Sequence, residues 1–377
     1  MSKVTKKKIK LKKPYIIVLR VILIVLLIIG LILGFYKYQI DSLKKLGYSY
    51  KASKNILFKF KKDYVIKIGK NKSLNKAFES SNNIDKNIDV YKDVKYVNHK
   101  DYIDNINKLV KKKYTTNDIN LIISHGSNED VKEFLKRDRV RYIEEFFSYD
   151  FAKLKKYDRY VKYSLESGED EETTIIYVNI GKDHEYYSNT IEEKNYNELM
   201  LVNKYRYLSK DYEPKLVSFE KKYTNDVEVK ALKEVVESFN KMARDASDNN
   251  LELIVNSAYR SYDDQVEIED EYRKAYGDDY VFKYVAKPGH SEHQTGLALD
   301  IGSKRVLTFA NSKEYLWMLE NAHKYGFILR YQKKYEDLTG FRSEAWHFRY
   351  VGEKIAADIY EKDMSYEEYY VRYLDNN

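Results

Sequence analysis

Two histidines and two carboxylates, His293, Asp300, Glu344 and His347, have the types and spacing of a metal-assisted hydrolytic site. They sit in two short words, Pro288-Gly289-His290-Ser291-Glu292-His293-Gln294-Thr295-Gly296-Leu297-Ala298-Leu299-Asp300 and Ser343-Glu344-Ala345-Trp346-His347. Two neutral imidazoles and one carboxylate are a common ligand set for a catalytic Zn2+, which keeps a fourth position open for water. Glu344, just upstream of His347, is the extra carboxylate such a site needs to take a proton from that water. Taken singly, each residue has a plainer reading. A lone histidine is an ordinary surface or core residue, Asp300 has a buried arginine as its lesser alternative partner, and Glu344 has a solvated loop carboxylate as its plainer reading. Set together inside these words, His293, Asp300 and His347 read as ligands and Glu344 as the base. Arg260 is the candidate electrophile, able to donate to a carbonyl oxygen as negative charge develops on it. Glu292 reads as a surface charge, Trp346 as packing, and His99, His125, His184 and His323 as structural.

The surrounding words extend the pattern. They are Ser257-Ala258-Tyr259-Arg260-Ser261 with Gln265, then Tyr325-Gly326-Phe327-Ile328-Leu329-Arg330-Tyr331, and Glu344-Ala345-Trp346-His347-Phe348-Arg349-Tyr350-Val351-Gly352. Upstream stand Leu201-Val202-Asn203-Lys204 and Asp211-Tyr212-Glu213-Pro214. Together with the run ending at Asp300, these closely resemble the VanY-type D-alanyl-D-alanine carboxypeptidases over residues 199–360. Ala345, where a proline is frequent, and His290, where an aromatic often stands, depart from the pattern without removing a ligand or the base. The resemblance implies a zinc metallopeptidase that removes the C-terminal D-alanine from peptidoglycan stem peptides, as a D,D- and/or L,D-carboxypeptidase. It also implies that Ser257 and Gln265 help to hold the substrate peptide, although an ST-turn and an exposed helix position describe them as well. Ser291 either binds the substrate's terminal carboxylate or caps its loop. A peptidoglycan endopeptidase of the same fold is the nearest alternative. A non-catalytic wall-binding module is the other, and Glu344 argues against it, since a binder needs no base.

Short elements must position these residues. Residues 227–246 carry Ala231, Val235, Phe239, Met242 and Ala246 along one helical stripe. Residues 251–255 read as a strand delivering Ser257 to Arg260, and residues 263–276 as a helix stopped by Gly277. Residues 296–301 read as a second strand, 313–325 as a helix stopped by Gly326, and 347–351 as a third strand. His293 and Asp300 converge if the loop folds back at residues 294–296. Glu344 and His347 reach one water only if a turn leads into the strand, because an odd offset within a strand points to opposite faces. Helices and short strands mix without a repeated glycine fingerprint, so the fold class is α+β, a small antiparallel sheet with flanking helices.

The net charge of +8 invites a nucleic-acid partner, but residues 1–36 hold seven lysines and Arg20 with no acid, leaving the remainder neutral. From residue 15 to 35 the chain is apolar except for Arg20, and about 21 residues at 1.5 Å each cross a hydrocarbon core of roughly 30 Å. The lysines before it orient the N-terminus toward the cytoplasm, so the catalytic domain is extracellular. The domains are therefore a basic tail (1–14), a single transmembrane helix (15–36), a mixed, mostly helical spacer with a weak internal duplication (37–198) and the catalytic domain (199–377). Within the spacer, Gly47 stops a helix before a Ser49 cap, Thr115 or Thr116 caps another, and residues 173–180 read as a strand. The chain has no cysteine, which excludes disulfides and thiolate metal sites. Its 39 tyrosines fit the codon bias of an AT-rich genome, with carbohydrate-contacting tyrosines as the sharper alternative.

Overall fold

The computed structural model describes residues 13–225, 227–306 and 308–375. Residues 1–12 of the basic tail lie outside the described residues. The chain divides into two compact units, Met1–Phe147 and Ser148–Asn377.

The first unit is helical among its described residues. Its opening helix, Lys13–Lys45, is long and apolar enough to cross a membrane, and its apolar window is entirely exposed. The last turns of that helix change character, and Ile40 and Leu43 are buried within the unit. Short helices follow, several started by a side-chain cap. Ser49 accepts from Ala52 N–H, and Thr115 and Asp118 form a reciprocal capping box. Ile119, Ile122 and Ile123 share the buried face below that box, so cap and apolar spacing act together.

The second unit holds a four-stranded antiparallel sheet in spatial order Ile254–Ser257, Ala298–Gly302, His347–Tyr350, Phe327–Leu329. The Phe327–Leu329 strand was not foreseen, being only three residues long. Leu253, Val255, Leu297, Leu299, Ile301 and Phe348 join Phe239 and Met242 of the Lys233–Asp248 helix in one apolar core. This helix begins later than its periodicity suggests. Residues Lys230–Leu232 are extended and pair antiparallel with Leu216–Ser218, and Leu232 takes an extended backbone before the helix starts. The stripe itself is as expected, with Ala231, Val235, Phe239, Met242 and Ala246 fully buried.

Residues 173–180, read as a strand for their β-branched content, are helical. The Glu171–Ile180 helix starts where the Asp170 carboxylate accepts from Thr173 N–H and stops at Gly181, whose φ is 102°. Strong caps at both ends and near-complete burial override the modest helix penalty of threonine and isoleucine. The helix packs with the C-terminal segment, where Ile176 and Ile180 meet Val371.

Candidate active site

Three neighbouring strands set the site side by side. Asp300 pairs in register with Ser257 on one side and with His347 on the other. His293 arrives from a 3-10 turn, Glu292–Thr295, that reverses at Gly296 with φ 71° and feeds directly into the central strand. His293 Nε2 then lies 3.4 Å from one Asp300 carboxylate oxygen, and His347 Nδ1 lies 3.3 Å from the other. The three candidate ligand atoms fall within 4.8 Å of one another. Asp300 Oδ1 is buried yet makes no properly aligned hydrogen bond, since the His347 approach is close but poorly directed. A buried acceptor without a donor is costly, and a cation at this point would satisfy it. The donor set fits zinc.

Each imidazole is turned by a partner on its far side. His293 Nδ1–H donates to the Ala258 carbonyl at 2.6 Å, leaving Nε2 bare toward Asp300. His347 Nε2–H points at the Glu292 carboxylate, 3.3 Å away, leaving Nδ1 toward Asp300 and Glu344. Such outer partners fix the tautomer and the ring orientation of a ligating histidine. Burial holds His293 below its ordinary pKa, and Arg260 and His347 add to this, which favours the neutral, ligating form. For His347 burial acts the same way, but the Asp300 and Glu292 carboxylates outweigh it and raise the pKa to about 9.

Glu344 sits in the irregular segment leading into the His347 strand, as the odd spacing required. Its N–H donates to the Tyr331 carbonyl at 3.0 Å, and Oε2 approaches His347 Nδ1 at 3.6 Å. Burial raises its pKa to about 7, against the opposing pull of His347 and Arg260. Arg260 is anchored from its own neighbourhood. It donates to Gln265 Oε1 at 2.9 Å and, at 3.5 Å, to Ser257 Oγ. Gln265 is buried rather than exposed, and its amide donates to the Ala286 carbonyl. Arg260, Gln265, Ser291, His293, Asp300, Glu344 and His347 all line one cavity of about 380 Å³, and Ser257 reaches it through Arg260. Ser291 forms no side-chain cap on its own turn. Trp346 is half-exposed on the cavity wall rather than packed inside.

Glu292 is no surface charge. It is fully buried and accepts from Arg330 Nε at 2.8 Å and Arg349 Nη1 at 3.0 Å while facing His347. Arg330 in turn clamps Glu367 with both terminal nitrogens, at 2.8 and 2.5 Å. Burial alone would raise the Glu292 pKa, but the two arginines and His347 hold it well below the carboxylate range. Two buried acids and two buried bases thus balance beneath the site, and the network reaches the candidate ligands through one histidine.

Residues 228–353 match the family profile described as VanY, D-alanyl-D-alanine carboxypeptidase. The putative carboxypeptidase YodJ of Bacillus subtilis (strain 168) is 39% identical over 183 residues, 46% of this chain and 67% of that protein. VanXYC of Enterococcus gallinarum, a bifunctional D-Ala-D-Ala dipeptidase and D-Ala-D-Ala carboxypeptidase, is 32% identical over 181 residues, 46% of this chain and 94% of its own length. The chain belongs to the VanY family of D-alanyl-D-alanine carboxypeptidases. Among solved structures, that of the LdcB LD-carboxypeptidase is 37% identical, covers 49% of this chain and 91% of its own, and has a TM-score of 0.47.

Within this VanY-family site, the residues that sequence reasoning missed are Glu292, Arg330, Arg349 and Glu367. Arg330 and Arg349 stand in the very words that carry the resemblance, in or beside apolar strand segments such as Phe327–Leu329 and His347–Tyr350. Arginines in fully buried strand context need buried carboxylates, and that signal was available. His290 is buried, donating from Nδ1 to the Asn203 carbonyl with Tyr187 edge-on at 5.0 Å.

Proposed function

We propose that the chain is a membrane-anchored zinc carboxypeptidase that removes the C-terminal D-alanine from peptidoglycan stem peptides, as a D,D- and/or L,D-carboxypeptidase. The observation that carries this reading is the convergence of His293, Asp300 and His347 on one point faced by Glu344, in a cavity that also holds Arg260. Zinc held by those three side chains would polarise water and the scissile carbonyl. Glu344 takes the proton of the attacking water and passes it to the departing amine as the C–O bond forms and the C–N bond breaks. In the metal-free protein burial raises the Glu344 pKa to about 7, so this carboxyl accepts a proton more readily than an exposed one. Arg260, held by Gln265 and Ser257, donates to the carbonyl oxygen as charge builds on it. Ser291, buried beside His293, is the candidate for the substrate's terminal carboxylate.

The Lys13–Lys45 helix supplies the anchor, with the lysine-rich end cytoplasmic and the catalytic domain, residues 199–377, extracellular. Residues 37–198 act as the spacer, of which residues 148–198 share a compact unit with the catalytic domain.

The deciding assay is incubation of the zinc-loaded full-length chain with defined tetra- and pentapeptides, with products identified by mass. A peptide ending in D-alanine is shortened by one residue, and its C-terminal amide is turned over on the order of 10⁴-fold more slowly, because donors built for the carboxylate are left unpaired. An internal fragment as first product, or equal cleavage of acid and amide, would replace this reading with an endopeptidase.

A further inference from the structure

The Tyr262–Tyr276 helix and the Asp278–Tyr284 helix are unusual in how little of themselves they bury. Among 15 residues in the first, only Gln265 is buried, and in the second only Val281. Val266, Tyr272, Tyr276, Phe282 and Tyr284 are exposed. A surface helix ordinarily persists by laying an apolar stripe on a core. Here a column of tyrosines joins the two helices instead.

Tyr272 and Tyr276 are one turn apart on the first helix, and Tyr280 and Tyr284 one turn apart on the second, so each pair shares a face. Gly277, with φ 83°, folds one helix against the other. The ring centroids of Tyr276 and Tyr280 are 4.6 Å apart, as are those of Tyr280 and Tyr284. Tyr272 stacks on Tyr280 at 6.1 Å with an interplanar angle of 16°. Tyr272, Tyr280 and Tyr284 line the cavity of the candidate metal site, whereas Tyr276, 62% exposed, ends the column in solvent. One aromatic ridge therefore runs outward from the catalytic cleft.

We propose that this tyrosine column is a saccharide-binding platform that receives the glycan joined to the N-terminal end of the stem peptide. The inference rests on the carboxypeptidase reading, which puts the terminal residue innermost and sends the rest of the substrate out past the ridge. Four extended residues span about 13 Å, which carries the sugar end of a stem peptide well away from the innermost residue. Stacked tyrosines offer rigid apolar faces and hydroxyl tips at little entropic cost, which is what a pyranose ring with its own hydroxyls requires. The charge of the surroundings narrows the ligand. Residues 262–284 carry eight acidic and three basic side chains, which repels polyanions and leaves an uncharged sugar.

The test compares one tetrapeptide, free and attached to its disaccharide, on the zinc-loaded full-length chain in a detergent without a sugar headgroup. Turnover is read as kcat/KM, and binding is read separately by calorimetry on Glu344→Gln. The glycopeptide is favoured on the order of tenfold in both readouts, Tyr276→Ala brings the ratio toward one, and Tyr276→Phe retains most of it. Equal binding of the two peptides overturns the platform while leaving the carboxypeptidase reading intact. A binding preference for the glycopeptide without trimming of either overturns the carboxypeptidase reading and keeps the platform. A preference that follows an added lysine in place of the sugar assigns the ridge to ammonium groups and overturns the proposal.

Discussion

At the scale of single residues, ligand and base separate by experiment. His293→Ala, Asp300→Ala and His347→Ala each remove a candidate ligand, so bound zinc falls below stoichiometry by elemental analysis. Glu344→Gln keeps the metal and loses turnover by about 10²- to 10⁴-fold, the range for a general base. A Glu344→Gln protein with near-normal turnover would mean that the base is elsewhere. Glu292→Gln tests the support beneath His347. It leaves the buried Arg330 and Arg349 short of a charge, and stranding a buried ionic partner costs about 3–5 kcal/mol. It also weakens the orienting bond to His347, for which a loss of roughly 10- to 100-fold in zinc affinity is typical. Thermal unfolding and competitive zinc titration read the two effects apart. Unchanged zinc affinity in a folded Glu292→Gln protein would confine Glu292 to stability.

At the scale of elements, the sequence spoke most clearly where short-range chemistry decides. The Ser49 and Thr115 caps, the Gly277 and Gly326 stops and the 231–246 stripe are all where their residues imply. The β-branched run at 173–180 misled because the caps that make it a helix, Asp170 and Gly181, lie outside the run. The start of the 233–248 helix misled because only a distant partner, Leu216–Ser218, makes residues 230–232 extended. The candidate site was legible as a set of residue types, whereas the burial of Glu292 was signalled only indirectly, by two arginines in apolar strand words far along the chain. Gly289 tests one element directly. Its φ is 85°, and a Cβ there would meet the Leu208 carbonyl oxygen at 2.9 Å. That carbonyl belongs to backbone, and Gly289 itself accepts from Leu208 N–H at 2.8 Å. Gly289→Ala is thus expected to lower stability by more than the roughly 1–2 kcal/mol of a left-handed alanine, shown by a lower denaturation midpoint. A midpoint equal to wild type would mean that this loop shifts freely.

At the scale of the whole molecule, the candidate site couples proton binding to folding. Glu344 and His347 have folded-state pKa values of about 7 and about 9, above their ordinary values of 4.5 and 6.5. Folding of the metal-free protein therefore takes up protons, and the linked stability is lost as pH rises from about 5 through 9. Asp300 and Glu292 are held low and act oppositely, their contribution disappearing only as the solution becomes strongly acidic. Zinc at the proposed site would displace the His347 proton, so the stabilisation it gives would grow with pH. Calorimetry at pH 5, 7 and 9 should show a falling Tm without metal and a widening gap with it. Glu344→Gln should flatten the metal-free slope between pH 5 and 7, and an unaltered slope would move the titration to other groups. The Lys13–Lys45 helix has a mechanical consequence. Its 33 residues extend about 50 Å, while roughly 20 suffice for a bilayer, and the remainder enters the first unit through Ile40 and Leu43. If that helix anchors the chain as proposed, no joint would intervene between its lipid-spanning turns and the folded unit. The unit would then be carried like a flag fixed to its pole, inheriting the tilt and rotation of the helix rather than swivelling on a tether. A Gly-Gly-Ser insertion after Tyr38 should free it, broadening the distances measured from a label in the unit to the bilayer surface.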